Sequence, residues 1–122
     1  MSKILLIEDD ALFVKMYQKK LAHEGLELIA AYDGEEGVEK TKSEKPDLII
    51  LDLMLPKMSG SDVLKKIKED PELGSIPVVV LTNLSTSAEE VSRCIQLGVK
   101  GTFLKTNVTP AQMVDEIRKY LK

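Results

Sequence analysis

The chain has 122 residues, of which 43% are hydrophobic and 30% charged, and its formal net charge is -3 at neutral pH. We expect a single domain over residues 1–122, with a core that needs neither disulfides nor a structural metal. One cysteine and one histidine exclude a zinc-type cluster, and the negative charge argues against a broad nucleic-acid-binding surface. The first apolar run, Ile4 to Ile7, is too short for a membrane span or a secretion signal, so we expect a cytoplasmic protein without membrane contact.

Short apolar strands alternate with helical segments along the chain. Strands are predicted at Ile4 to Ile7, Leu28 to Ala31, Leu48 to Leu51, Val78 to Leu81 and Thr102 to Leu104. The first helix is predicted from about Ala11 to His23, and Gly25 suits its end. Its apolar stripe contains Phe13, Met16, Tyr17 and Leu21.

Three later helices have clear start signals, in which a capping residue stands three positions before Glu or Gln. These pairs are Asp33 and Glu36, Ser87 and Glu90, and Thr109 and Gln112. Pro110 fits the first helical position after Thr109. A further helix near Ser61 to Glu69 is expected to bury Val63, Leu64 and Ile67 and to expose Lys65, Lys66, Lys68 and Glu69.

The alternation of strands and helices predicts an α/β fold. The strands are nearly continuous in Leu, Ile and Val, as in a parallel sheet that is covered on both faces. Right-handed crossovers leave few topologies at this size. We therefore expect a flavodoxin-like three-layer sandwich, with a five-stranded parallel sheet in the order 2-1-3-4-5 and five helices.

Polar side chains cluster where these strands end. Glu8 and Asp9 follow the first strand, Asp52 ends the third, Thr82 follows the fourth and Lys105 follows the fifth. In the expected order these ends are neighbours, so the residues should share one crevice. Two carboxylates about 4 Å apart repel by roughly 4 kcal/mol, which calls for a cation, and an oxygen-only ligand set suits Mg²⁺. The set as a whole suits the binding and transfer of a phosphoryl group.

Each residue also has an ordinary structural interpretation. Thr82 could cap a loop and Lys105 could be a solvated surface lysine, as most lysines are. It is the joint occurrence of the four residue types at neighbouring strand ends that favours the functional interpretation. Asp10 is interpreted as the N-cap of the first helix, His23 as a helix-end residue and Cys94 as a small core residue.

The sequence resembles a response-regulator receiver domain over its whole length. The segment from Asp52 to Gly60, Asp-Leu-Met-Leu-Pro-Lys-Met-Ser-Gly, is similar to the family pattern Asp-x-x-Met-Pro-x-Met-Asp-Gly. The resemblance implies that Asp52 accepts a phosphoryl group from a sensor histidine kinase or a histidine phosphotransfer protein. It implies a signalling protein that catalyses only its own phosphorylation and slow dephosphorylation.

The same resemblance assigns roles around Asp52. Glu8, Asp9 and Asp52, with the backbone carbonyl of Met54, would hold Mg²⁺. Thr82 and Lys105 would contact the phosphoryl oxygens. The face formed by the fourth helix, fifth strand and fifth helix would then shift toward a state that binds a downstream protein target.

Several positions depart from the family pattern. Thr102 replaces the usual aromatic, and Phe103, one place later, should face the opposite side of the sheet. Thr106 replaces the usual proline after Lys105, which predicts either a trans peptide bond with a rearranged loop or backbone strain. Asn83 stands where a small residue is usual and is expected to narrow access to the phosphoryl group.

Two further apolar residues, Met54 and Leu84, are expected to flank the entrance and to slow hydrolysis of a phospho-aspartate. Two other functions are considered, of which the sequence leaves the first open and disfavours the second. A pseudo-receiver would use the same fold as a binding module without phosphorylation. A phosphatase of the haloacid dehalogenase type would need a second aspartate two residues after the first, where this chain has Met54. Neither the P-loop nor the dinucleotide-binding glycine pattern is present.

Overall fold

The computed structural model describes residues 1–121, which contain five strands and five helices in alternation. The strands are β1 (Lys3–Ile7), β2 (Glu27–Ala31), β3 (Leu48–Asp52), β4 (Val78–Thr82) and β5 (Gly101–Leu104). The helices are α1 (Ala11–His23), α2 (Gly34–Glu44), α3 (Gly60–Glu69), α4 (Ala88–Gln96) and α5 (Pro110–Tyr120). Every predicted strand is confirmed to within one residue at each end.

The five strands form one parallel sheet in the order β2-β1-β3-β4-β5. The register pairs Ile7 with Leu51. It also pairs Asp52 with Leu81, and Thr82 with Leu104. The carboxyl ends of β1, β3, β4 and β5 therefore lie along one edge, and the predicted flavodoxin-like sandwich is confirmed.

Alternate strand residues supply two cores, one on each face of the sheet. On one face α1 and α5 cover the sheet, and the buried residues there include Leu6, Tyr17, Leu81, Val114 and Ile117. On the other face α2, α3 and α4 cover it, with Leu5, Ile49, Leu64, Ile67 and Cys94 among the buried residues. The expected core role of Cys94 is confirmed, as is the inward placement of Val63, Leu64 and Ile67. Lys68 is half-buried rather than fully exposed, and its ammonium donates to the Gly74 carbonyl at 3.1 Å.

Helix α1 begins and ends as the sequence predicts. The Asp10 carboxylate caps it, accepting from the Leu12 and Phe13 N–H groups. Gly25, at a φ of 77°, ends it, because the left-handed conformation is easy for glycine. The predicted apolar stripe was wrong at one place: Met16 is 47% exposed, and Val14 is buried in its stead.

The three predicted N-caps are confirmed: the side chains of Asp33, Ser87 and Thr109 each accept from the N–H three residues on. Among the described residues, only the Thr109 pair is a reciprocal capping box, in which Gln112 accepts in return from the Thr109 N–H. Glu36 accepts instead from the Tyr32 N–H, and Glu90 bonds to a different helix. Local spacing therefore located the helix starts but not the partners of these two carboxylates.

The residues around β5 that differ from the family pattern have clear positions in the structure. Phe103 packs against the core on the α1 and α5 face, as strand alternation predicted. Residues 1–121 contain no cis peptide bond, so the link from Lys105 to Thr106 is trans. The Asn107 N–H donates to the Leu104 carbonyl at 2.8 Å and turns the loop toward α5. None of the described helices combines the length and hydropathy needed to cross a bilayer.

Candidate functional site

Three carboxylates meet at the carboxyl edge of the sheet. Glu8 follows β1 and is completely buried, Asp9 is exposed, and Asp52, the last residue of β3, is only 3% exposed. One oxygen from each lies within 4.8 Å of the other two. The backbone fixes Glu8, because its N–H donates to the Ala31 carbonyl and its Oε2 accepts from the Asp10 N–H at 3.0 Å. The predicted crowding of these carboxylates is therefore present.

Lys105 reaches across from the end of β5 into this cluster. Its Nζ lies 2.7 Å from Glu8 Oε1 and 3.4 Å from Asp52 Oδ2. The first contact is an ion pair without hydrogen-bond alignment, whereas the second is also a hydrogen bond. Because the Lys105 side chain is only 22% exposed, it is not the solvated surface lysine of the ordinary interpretation.

Burial and charge act against each other in the cluster. Burial raises the pKa of the Glu8 carboxyl to about 7, the Asp52 charge adds to the rise, and the Lys105 ammonium partly offsets it. Burial lowers the pKa of Lys105, but the carboxylates of Glu8 and Asp52 more than offset this, so the pKa stands above its ordinary value. Lys105 thus stays cationic, and the cluster favours a positive charge next to Asp52.

The loop after β3 is shaped by Asp52 and a glycine. Asp52 Oδ1 accepts from the Met54 N–H at 3.0 Å, which fixes the carboxylate. Gly60 begins α3 and its N–H donates to the Leu53 carbonyl at 3.3 Å. A Cβ at position 60 would lie 2.5 Å from Leu53 Cδ2 and 2.7 Å from Leu53 Cα. Only glycine lets the loop close this tightly, which explains the last residue of the motif.

Thr82 lies at the same edge but is bonded away from Asp52. Its hydroxyl donates to the Phe103 carbonyl at 3.4 Å, and its own carbonyl accepts from the Lys105 N–H at 2.8 Å. The Asn83 side chain turns into its own loop, where Oδ1 accepts from the N–H and the hydroxyl of Ser85. Thr82 is therefore positioned at the site with its hydroxyl held by β5.

One residue of the site was missed at the level of sequence. The Phe13 ring lies 4.7 Å from Lys105 Nζ and stacks on Tyr17. Its place in the apolar stripe of α1 pointed only to the core. The available signal was an aromatic pair spaced i, i+4 in the helix that directly follows the acidic pair.

Comparison with known proteins decides the family. The sequence matches the response regulator receiver domain over residues 4–118. The chain belongs to this family. The receiver fold and the strand order of this protein are those of its relatives, and receiver domains are signalling proteins.

Among curated relatives, the receiver is 29% identical to the polar-differentiation response regulator DivK of Brucella anthropi, over 97% of this chain and 94% of DivK. It is 32% identical to the probable transcriptional regulator ycf27 of Porphyridium aerugineum, over 98% of this chain but only 48% of that protein.

Among solved structures, the Vibrio cholerae chemotaxis protein CheY4 has 26% identity and a TM-score of 0.87, with 99% of both chains covered. A CheY-like receiver domain protein of Methanospirillum hungatei has 26% identity and a TM-score of 0.87, with 98% of this chain and 92% of that chain covered.

Receiver domains generally bind Mg²⁺ at an acidic cluster, and the residues here fit that ion. The donors of Glu8, Asp9 and Asp52 are all carboxylate oxygens, the ligands that a hard divalent cation prefers. Glu8 Oε1 has no aligned hydrogen bond and faces only the Lys105 ammonium, at 2.7 Å, so it could bind the ion if that lysine moved aside.

Proposed function

We propose that this receiver accepts a phosphoryl group on Asp52 from a histidine kinase or a histidine phosphotransfer protein. The observation that carries the proposal is the Asp52 carboxylate itself. It is nearly buried, yet its Oδ2 lies 3.4 Å from a lysine ammonium and it shares its edge of the sheet with two further carboxylates. The Met54 N–H and the Lys105 ammonium hold this carboxylate in place, as a nucleophile that accepts a phosphoryl group requires.

In the transfer step, one Asp52 oxygen forms a bond to phosphorus while the phosphorus–nitrogen bond of the donor phosphohistidine breaks. The electron pair of that bond returns to the imidazole, which takes up a proton from water. Lys105 would neutralise charge on the phosphoryl oxygens. Thr82 would give up its bond to the Phe103 carbonyl and donate its hydroxyl to the phosphoryl group.

Glu8, Asp9 and Asp52, with the backbone carbonyl of Met54, would hold Mg²⁺ in this proposal. The bound ion would supply positive charge against the phosphoryl oxygens. Glu8 is held by the Asp10 N–H and Asp52 by the Met54 N–H, so the cradle is largely preformed. Lys105 would turn from Glu8 toward the incoming anion.

The test is labelling by a small phosphodonor. With acetyl phosphate and Mg²⁺, intact mass should increase by one phosphoryl group, and the increase should be lost in Asp52→Asn and after chelation of the metal. Asp62→Asn is the matched control, because Asp62 is an exposed aspartate in the first turn of α3. Failure of the folded wild-type protein to take up label would instead favour the pseudo-receiver.

The switch is proposed to run from Thr82 to the face of α4, β5 and α5, which would bind a downstream protein. Release of the Phe103 carbonyl by Thr82 links the site to β5 directly. Beryllofluoride with Mg²⁺ should shift the amide resonances of this face, and Thr82→Ala should weaken the shifts. Amide shifts confined to the loops around Asp52 would contradict this part of the proposal.

Slow hydrolysis of the phosphorylated form is a further part of the proposal. Met54 follows Asp52 by two residues and its apolar side chain is 43% exposed, while Leu84 is 89% exposed in the loop after β4. Neither side chain can activate a water molecule. Met54→Asn should shorten the lifetime of the phosphorylated form; a wild-type lifetime of seconds would contradict the idea.

We also propose that residues 1–122 form a single domain and that the protein acts in the cytoplasm.

A further inference from the structure

We infer that Phe13 is a positioning residue for Lys105: the face of its ring holds the ammonium over the acidic crevice through a cation–π contact. The inference rests on the proposed function and adds to it a residue that the resemblance does not assign. It names an aromatic on α1 as the third contact of the lysine, beside Glu8 and Asp52.

The geometry of the ammonium supports this role. Lys105 Nζ lies 4.7 Å from the Phe13 ring centroid, within the reach of about 6 Å at which the ring quadrupole attracts a cation. The same atom lies 2.7 Å from Glu8 Oε1 and 3.4 Å from Asp52 Oδ2. Contacts from α1, from the end of β1 and from the end of β3 thus converge on one nitrogen. Water reaches only a small part of this side chain, which is 22% exposed.

The ring is itself held in place. Phe13 stacks on Tyr17 one helical turn later, with centroids 4.5 Å apart and planes 19° from parallel. Tyr17 is completely buried, and the Phe13 N–H donates to the capping carboxylate of Asp10 at 3.3 Å. The hydrogen bond of its N–H and the stacking of its ring thus hold Phe13 in one position. A ring held in this way can orient the Lys105 ammonium, whose flexible stem does not fix a direction by itself.

The ring offers something that the carboxylates cannot. Glu8 and Asp52 neutralise the ammonium, and both are committed elsewhere if they hold a metal ion or phosphorus. A neutral ring attracts the ammonium without cancelling its charge, so Lys105 stays aimed at the crevice and keeps its charge for an anionic ligand. A leucine would fill the same space against the core but would not attract the cation.

Fluorination of the ring separates these two roles, because it weakens the quadrupole at nearly constant volume. Tyr120, the last residue of α5, is the control position, because its hydroxyl donates to the carbonyl of Lys100, at the opposite end of β5 from Lys105. Phe, 4-fluoro-Phe and 3,4,5-trifluoro-Phe are placed at position 13 in the full chain, and the same series at position 120. The readout is the rate of labelling by acetyl phosphate at saturating Mg²⁺.

At position 13 the labelling rate should fall stepwise with fluorine content, by between about threefold and about thirtyfold over the series. At position 120 the labelling rate should not change over the series. A flat series at position 13, with wild-type labelling intact, would overturn the inference while leaving the proposed function standing. No labelling of the wild-type protein would instead remove the proposed function.

A second measurement does not depend on phosphorylation. The ε-methylene protons of Lys105 should resonate upfield of the other lysines because they lie near the Phe13 ring. Phe13→Leu should abolish this ring-current shift and Phe13→Tyr should retain it. Lys105 protons that match the other lysines in the wild-type spectrum would contradict the placement, whatever the labelling result.

Discussion

Glu90 in the first turn of α4 binds Ser61 in the first turn of α3 through both of its carboxylate oxygens. Oε2 accepts from the Ser61 N–H at 2.9 Å and Oε1 from the Ser61 hydroxyl at 2.6 Å. The Ser61 N–H is one of the first-turn donors that a helix cannot satisfy by itself. Cys94 is the only fully buried residue of α4 among those described, and this link adds a polar contact between α4 and α3.

Glu90→Ala should lower the free energy of unfolding by about 2 kcal/mol, because two bonds to a charged acceptor are lost and the Ser61 N–H is left without its partner. It should also speed amide exchange in α4 more than in α1. Urea unfolding and hydrogen exchange measure the two effects.

Glu89→Ala is the matched control for Glu90→Ala. Glu89 is exposed in the same turn, so its removal takes away the same charge near the helix N-terminus and should cost less than about 1 kcal/mol. Equal losses for the two variants would mean that the bonds to Ser61 contribute nothing beyond the helix dipole.

Cys94 provides a chemical probe of the same helix. The thiol is completely buried, and burial, with a contribution from the Glu90 charge, raises its pKa to about 11. At pH 8 the native protein should react with a disulfide reagent at least about a hundredfold more slowly than the protein unfolded in urea. Glu90→Ala should speed the native reaction for two reasons: it frees α4, and it removes a charge that disfavours the thiolate. Fast reaction of the native wild-type protein would contradict the burial of Cys94.

The fold could be predicted because its signals are local. Continuous apolar runs marked the strands, and capping residues such as Thr109 marked the helix starts. The error at Met16 has a simple cause. The helical period allows two adjacent apolar stripes on α1, and only the packing against β2 and α5 selects the stripe that contains Val14.

The candidate site was predictable where topology alone brings residues together. Strand order places Asp52 and Lys105 at the same edge of the sheet, so their proximity followed from the fold. The contact of Phe13 with Lys105 and the bond of Glu90 to Ser61 did not, because side-chain partners on separate elements leave no spacing pattern in the chain. At Glu90 the local pattern was misleading, since it is equally that of a capping box.

Tyr17→Phe should stabilise the protein by about 1 kcal/mol. The Tyr17 hydroxyl is buried on the α1 and α5 face, with no hydrogen-bond partner among residues 1–121. The substitution removes that group and keeps the ring that stacks on Phe13. Tyr120→Phe is the control, because the Tyr120 hydroxyl donates to the Lys100 carbonyl at 3.3 Å and its loss should not stabilise. Urea unfolding at pH 7 compares the two, and a less stable Tyr17→Phe would contradict the prediction.

The same variant should reveal a pH dependence. Burial raises the pKa of Tyr17 from an ordinary value of 10.0 to about 12. The unfolded chain therefore loses this proton first, and the neutral hydroxyl contributes stability that is fully present below pH 10 and lost as pH rises toward 12. Between pH 9 and pH 11 the free energy of unfolding of Tyr17→Phe should therefore rise relative to that of the wild type by roughly 1.4 kcal/mol. If the difference in unfolding free energy between Tyr17→Phe and the wild type does not change with pH, the Tyr17 hydroxyl is exposed to water and the prediction is wrong.

Lys45→Gly should stabilise the protein, because Lys45 ends α2 in the left-handed conformation, at a φ of 45°. Glycine adopts this conformation without the Cβ clash, which relieves about 1–2 kcal/mol, but its greater freedom in the unfolded chain costs about 0.5–1 kcal/mol. The expected net gain is therefore roughly 0.5–1 kcal/mol. The Lys45 pair with Glu72 is mostly exposed and offsets little of this gain.

The matched control is Lys42→Gly, one turn earlier on the exposed side of α2, where glycine should cost roughly 0.5–1 kcal/mol. The two changes remove the same side chain and the same charge, so only the backbone conformation differs between them. Thermal or urea unfolding should move in opposite directions for the two variants. If both destabilise α2 equally, the left-handed conformation at Lys45 carries no strain, and the helix end depends on the lysine itself.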